Sequence, residues 1–381
     1  MHSDPPSIPL LIPDLPAVAA LQPFLERIDA ARVYSNHGPL VHELEAALPA
    51  LMANGSGAGA HAVTVASATA GLELLLQSLE LPHGASVMVP AFGFAAAPMV
   101  VARLGFHPSF IDVDPVEWAA TPALASAALR RETGNRPGAL IVVSPFGYPI
   151  DAAAWADWQR DTGIPVILDA AASLGNQVLH PAVPTVFSMH ATKPFGIGEG
   201  GMVVVGDAAA AQRLRKLSNF GFDQRIAAEI GANAKLSEWH AAVGLAQLAR
   251  WPHNVAARRG TRDLLLPMLA RQPHVRLHPA AATAVVSAYC PVLLPDAGQA
   301  ERLLAALAQD RIDGRRWFYP ALPAHPAFAH ADADAHTPAS TSLAARIVCL
   351  PFHSRLNHED ISRIAAAVGA IAEPGLARAA A

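Results

Sequence analysis

Lysine is scarce in this chain of 381 residues: Lys193, Lys216 and Lys235 stand against 24 arginines. Drift toward arginine accounts for the ratio on a surface, where either cation serves. It does not account for Lys193, which ends Phe187-Ser-Met-His-Ala-Thr-Lys193, between an apolar run and a glycine-rich stretch. Arginine can replace lysine as a charge but cannot form an imine, so a lysine kept here points to Schiff-base chemistry with a carbonyl cofactor. Asp169 closes a second apolar run, Pro165-Val-Ile-Leu-Asp169. A carboxylate at the end of a buried strand is costly to desolvate unless it meets a cation. Pyridoxal phosphate offers one, a pyridinium nitrogen whose proton the acid would keep in place. The same aspartate could instead cap the residues that follow it. Ser67-Ala-Thr69-Ala-Gly71 is a turn of small residues. Its free N–H groups and the Thr69 hydroxyl can hold a phosphate at a helix N-terminus, or can cap that helix in the ordinary way. The order of the three, phosphate turn, aspartate, lysine, is more specific than any member alone.

Such residues need strand ends to hold them, and the chain supplies these in sequence. From His61 to Asp207 short apolar runs at 62–66, 86–90, 108–113, 139–143, 165–169, 185–190 and 201–205 read as strands. Helical patterns lie between most of them, at 70–81, 95–104, 122–131 and 152–162. This alternation predicts an α/β fold with a mostly parallel seven-stranded sheet covered on both faces. Ligands of open parallel sheets sit beyond the carboxyl ends of the strands, where the three candidates fall. No helix fits 191–200. Helices are expected at 208–219, from 236 through 250 to about 272, at 297–309 and at 359–372, with strands in 275–295. A boundary near 250 divides a large domain (1–250) from a smaller α/β domain (251–381), and the alanine-rich tail after Pro374 is expected to fray.

Gly196, Gly198 and Gly201 satisfy G-x-G-x-x-G, yet the last glycine opens the strand-like Met202-Val-Val-Val205 rather than a helix. A dinucleotide fingerprint needs the helix, so an NAD-binding oxidoreductase is disfavoured; no P-loop motif occurs either. A net charge of −4 gives no electrostatic reason to expect nucleic acid or an anionic membrane as partner. Mean hydropathy is +0.28. The most apolar stretches are too short or broken by proline and glycine, so no span is expected. Cys290 and Cys349 read as buried small hydrophobes rather than a disulfide framework or a metal site. Together with an N-terminus that lacks a basic signal region, they suggest a cytoplasmic protein.

Several segments resemble the DegT/DnrJ/EryC1/StrS family of pyridoxal-phosphate-dependent sugar aminotransferases. The strongest is Phe187-Ser-Met-His-Ala-Thr-Lys-Pro-Phe-Gly-Ile-Gly-Glu-Gly-Gly-Met-Val203, similar to that family's lysine signature. Others are Tyr34-Ser-Asn-His-Gly-Pro-Leu40, Val89-Pro-Ala-Phe-Gly-Phe94, Phe110-Ile-Asp-Val-Asp-Pro115, Asn233-Ala-Lys-Leu-Ser-Glu238 and Ala241-Ala-Val-Gly-Leu-Ala-Gln247, with an echo in Leu350-Pro-Phe-His353.

The resemblance implies a fold-type I aminotransferase, pyridoxal 5'-phosphate as cofactor, and a homodimer with shared active sites. It implies Lys193 as the imine-forming lysine and proton carrier, and Asp169 as partner of the pyridinium nitrogen. Phe94 would stack on the ring, Ala68, Thr69 and Ser188 would hold the phosphate, and Asn233 would reach it from the other subunit. Asn36 and His37 are candidate substrate contacts; no metal is expected. The implied reaction moves an amino group from glutamate to a nucleotide-linked keto-6-deoxysugar. Alternatives are a keto-cyclitol acceptor or a regulatory member without turnover. The chain departs from the family in having Ala172 three residues after the aspartate, where Gln or His is usual, Ala68 for the glycine of the phosphate turn, and Lys235 for arginine.

Overall fold

The computed structural model of the protein describes residues 6–131, 136–284, 286, 288–328 and 336–371. Helices α1 (Val18–Ala31) and α2 (Pro39–Ala47) precede a seven-stranded sheet. Its strands are β1 (His61–Val65), β2 (Ser86–Pro90), β3 (His107–Ile111), β4 (Ala139–Val143), β5 (Val166–Asp169), β6 (Thr185–Ser188) and β7 (Gly201–Val205). Between them run α3 (Ala68–Ser78), α4 (Ala96–Arg103), α5 (Pro122–Arg131) and α6 (Ala152–Thr162). The expected strands and helices of this region are present, with ends that agree to within three residues.

The strand order is β1-β7-β6-β5-β4-β2-β3. β7 is antiparallel to both neighbours, whereas the pairs among β6, β5, β4, β2 and β3 are parallel. The reversal follows from the connection at 191–200: a parallel return needs a crossover of a dozen or more residues, usually a helix, and this loop has none. The strands are mostly apolar because both faces are covered. Leu140 and Val142 join Leu168, Phe187, Met202 and Val204 in one core with Leu44 and Trp155. Ala139 and Ile141 join Ile167, Val186, Val203 and Val205 in the other, with Leu72, Leu75 and Leu214. The period of two assigns neighbouring residues of one strand to opposite cores.

After the sheet come α7 (Ala208–Ser218), the two-residue strands β8 (Phe222–Asp223) and β9 (Ile226–Ala227), and α8 (Glu238–Ala270). The division expected near residue 250 falls inside α8, a single helix of 33 residues. Beyond it, β10 (Cys290–Leu293) pairs antiparallel with β11 (Ile347–Leu350), and α9 (Ala297–Gln309), α10 (Pro338–Arg346) and α11 (His358–Ala370) are the α-helices among the described residues. Of the strands expected through 275–295, β10 and an isolated bridge between Arg276 and Leu293 are present, because Pro279–Ala281 turns as a 3-10 helix. The C-terminal part of α8 contributes Leu265 and Leu269 to a core with Val292, Leu303, Val348 and Ile364. The tail after Pro374 lies outside the described residues. Among the described residues no helix is long and apolar enough to cross a membrane.

α2 begins at Gly38-Pro39 without a side-chain cap of its own. Its first N–H groups are met instead by Glu238, whose oxygens accept from Leu40 and Val41, each at 2.9 Å. The Glu238 side chain is buried, and a Cβ on Gly38 would strike its carboxyl group. Glu238→Ala removes both acceptors and should lower folding stability by about 2 kcal/mol, the upper range for a lost N-terminal cap. Denaturant unfolding of the two proteins measures this directly.

Candidate active site

Three chain segments converge at the carboxyl end of the sheet. β5 ends in Asp169, and its neighbour β6 ends in Ser188. The loop after β6 carries Lys193 and is tied by its own backbone: Met189 N to Gly200 O at 2.9 Å, Ala191 N to Gly198 O at 2.7 Å, and Ile197 N to Met189 O at 2.8 Å. Gly198 has φ +102, a conformation open to glycine, so the glycines of this stretch shape the lysine loop and bind no dinucleotide helix.

Gly201 joins the loop to the phosphate turn. In the β6–β7 register it lies opposite Ser188, and a Cβ on it would come within 2.5 Å of Ala68 N and 2.6 Å of Ser67 C. Ser188 and the N-terminus of α3 are therefore neighbours through a position that admits no side chain. Ser67 caps α3 by accepting from Ala70 N at 3.1 Å. The N–H groups of Ala68 and Thr69 lie in the first turn, where an α-helix offers them no acceptor. Ala68 is absent from the residues with positive φ, so alanine fills the usual glycine position without strain.

Asp169 is 5% exposed. Its Oδ1 accepts from Ala171 N at 3.0 Å, and its second oxygen makes no hydrogen bond among the described residues. Burial raises the carboxyl pKa to about 6, against the Ala171 N–H and the charge of Lys193, which both lower it. The lysine is thus near enough to be felt by the acid. Lys193 Nζ itself donates to Tyr289 Oη at 3.0 Å and lies 5.2 Å from that ring's centroid. Tyr289, just before β10, is a site residue the sequence reading did not single out; an aromatic ahead of a short strand reads as core. Burial pushes the two cysteine thiols up, Cys290 to about 12, as expected of inert core residues.

The remaining candidates are less concentrated. Phe94 follows the Gly93 turn after β2 and is 62% exposed, with no ring partner among the described residues. Asn233 is exposed and accepts from Lys235 Nζ at 2.7 Å, in a segment whose Ala234 O accepts from Ala66 N at 2.8 Å. Asn36 and His37 are both left-handed, with φ 62 and 57. Asn36 is exposed, whereas His37 stacks on His42 and sits 3.4 Å from Ser218 on α7. Neither hydrogen-bonds to Lys193 or Asp169. Among the described residues no cluster of three His, Cys, Asp or Glu could hold a metal.

The donor set fits pyridoxal phosphate: a buried carboxylate with an unbonded oxygen, a primary amine within electrostatic reach of it, open helix N–H groups next to a serine, and an exposed aromatic ring after β2. A mostly parallel seven-stranded sheet carrying this group at its carboxyl edge is the architecture of the fold-type I aminotransferases. The chain belongs to the DegT/DnrJ/EryC1/StrS aminotransferase family, whose pattern it matches over residues 19–369, and it is an enzyme of the transaminase class. It is 33% identical over 362 residues to the UDP-N-acetyl-3-dehydro-alpha-D-glucosamine 3-aminotransferase of Acidithiobacillus ferrooxidans, covering 89% of this chain and 90% of that protein. It is similar to the crystal structure of DesI in the presence of its TDP-sugar product, with TM-score 0.84 and 30% identity over 96% of this chain and 93% of that one. A DegT/DnrJ/EryC1/StrS aminotransferase from Brucella abortus superimposes with TM-score 0.82 and 28% identity, over 93% of this chain and 96% of its own.

Proposed function

We propose that the protein is a pyridoxal-phosphate-dependent aminotransferase that moves an amino group from glutamate to the keto carbon of a nucleotide-linked 6-deoxysugar. The observation that carries this reading is Asp169, buried with one oxygen unbonded, within electrostatic reach of Lys193. The choice of a nucleotide-linked sugar is supported by relatives whose names specify UDP- and TDP-sugars. Relatives described as pyridoxal-phosphate-dependent support the cofactor.

When bound, pyridoxal phosphate supplies an electron sink for the pair left on carbon as a proton departs. The chain's own residues hold it and move protons. Asp169 keeps the ring nitrogen protonated, and the ion pair removes the cost of its burial. The Ala68 and Thr69 N–H groups and the Ser188 hydroxyl hold the phosphate at the positive end of α3. Phe94 covers one ring face. The Lys193 amine would be the nucleophile toward the cofactor's carbonyl carbon, and would then carry the donor's α-proton through a 1,3-shift, from the α-carbon across the nitrogen to the carbon on its far side. In this reading residues 1–250 carry the cofactor, residues 251–381 bring Tyr289 to it, and a second copy contributes Asn233 across a homodimer. Asn36 and His37 serve the substrate, and the enzyme works in the cytoplasm.

Ser188→Ala loses a hydrogen bond to a doubly charged group. It should weaken cofactor retention about 10- to 100-fold while leaving turnover at saturating cofactor near wild type. Titration of the cofactor-free protein with pyridoxal phosphate reads this out. Mass spectrometry of products from keto-sugar nucleotides with labelled glutamate tests the reaction. Labelled amine in the sugar supports the assignment; transfer to a keto-cyclitol alone would replace it.

A further inference from the structure

The contact between Lys193 and Tyr289 joins the two parts of the chain at the reacting amine. Tyr289 precedes β10, and its ring is clamped by Phe146 after β4, at 6.2 Å and 76°, and by Trp317, at 5.6 Å and 67°. Edge-on packing against two rings leaves a phenol little freedom, so the position of its hydroxyl is set by the ring contacts. α8 carries Arg258, 4% exposed, within electrostatic range of both Tyr289 and Asp14. The hydroxyl meets Lys193 Nζ at 3.0 Å.

Resting on the reading of Lys193 as the proton carrier, we propose that Tyr289 is a positioning residue for the freed lysine amine. A lysine that must leave a covalent bond and then act on a carbon atom has four rotatable bonds through which to lose its place. By accepting one N–H, the phenol oxygen holds the nitrogen close to the cofactor site and leaves its lone pair directed elsewhere. When the amine carries the abstracted proton, the same oxygen accepts from the ammonium. Tyr289 thus serves both states of Lys193 without giving up a proton.

Tyr289→Phe is the test, because it keeps the contacts to Phe146 and Trp317 and removes the hydroxyl alone. The first readout needs no cofactor. With three lysines in the chain, the cofactor-free protein reductively methylated with ¹³C-formaldehyde gives few signals. The Lys193 signal is identified by its loss in Lys193→Arg. It should be displaced and broad in the wild type, and should sharpen and move toward the free-lysine position in Tyr289→Phe. In the loaded enzyme, amine transfer from glutamate should slow about 10- to 100-fold, the range of a misplaced acid–base group, with KM little changed. The primary isotope effect with α-deuterated glutamate should rise. An unaltered Lys193 signal and isotope effect, with Lys193→Ala inactive, would overturn the role of Tyr289 alone. An active Lys193→Ala would overturn the parent reading as well.

Discussion

Lys193→Ala is expected to abolish transamination, by at least about 10⁴-fold in kcat, since in the proposed reaction the nucleophile and the proton carrier are one group and are lost together. Lys193→Arg should fail equally. Arginine keeps a positive charge near Asp169 and five N–H donors toward Tyr289, so the variant preserves much of the local electrostatics, yet it forms no imine. A steady-state assay with glutamate as donor, on both purified variants, measures the loss. Equal inactivity of the two would assign the requirement to imine and proton chemistry; activity in Lys193→Arg would assign it to charge.

The second large effect runs in opposite directions for stability and activity. Asp169 is held near pKa 6 by burial, above the ordinary value of 3.8. A carboxyl raised in the folded state binds more protons folded than unfolded between those values. The penalty of its burial is therefore full above pH 6, shrinks as pH falls through the folded value, and is gone below the unfolded one. Asp169→Asn removes the charge and retains an oxygen for Ala171 N. Without cofactor, the variant should be more stable than wild type by about 3 kcal/mol at pH 8, with the difference vanishing near pH 4. On the proposed placement of the cofactor, the same substitution puts a neutral group opposite the ring nitrogen and should lower turnover about 10²- to 10³-fold. Paired denaturation curves at the two pH values, beside a turnover assay, test both halves. Equal stability at pH 8 would mean that the buried charge is compensated within the chain.

The same opposition between packing and chemistry makes the site legible in the sequence. Lys193 and Asp169 stand out because each is a poor choice for its surroundings on packing grounds: a lysine in an arginine-rich chain, an acid closing an apolar strand. Tyr289 gives no such signal, because an aromatic residue ahead of β10 is what a core requires. Its role arises from a contact with Lys193 across 96 positions.

Most helix starts divide in the same way, the exception being α4, which is expected at 95–104 although Ala95 before it supplies no side-chain cap. Those of α3, α6, α7, α8, α9 and α11 are capped by Ser67, Asp151, Asp207, Ser237, Asp296 and Asn357, each immediately before its helix. All six helices are expected from sequence. α2 and α10, which are not, have no side-chain cap of their own. Glu238 caps α2, and Asp112 accepts from Ala339 N at 2.9 Å and Ser340 N at 2.8 Å to cap α10. Their start signals are tertiary, and a local reading has nothing to find. α1 likewise begins at Ala17 without a cap and contains Pro23. β11 follows α10 without an intervening turn residue, so no local signal marks where it begins.

The central claim is that Lys193, opposed by Asp169, engages pyridoxal phosphate and passes an amino group. Its most direct test is the visible absorption of the purified protein with added pyridoxal phosphate, before and after L-glutamate. The account predicts a yellow band that is absent from Lys193→Ala and bleaches with glutamate. The colour should return when an acceptor keto-sugar nucleotide is added. A band equally strong in Lys193→Ala, or no band in the wild type, would contradict it.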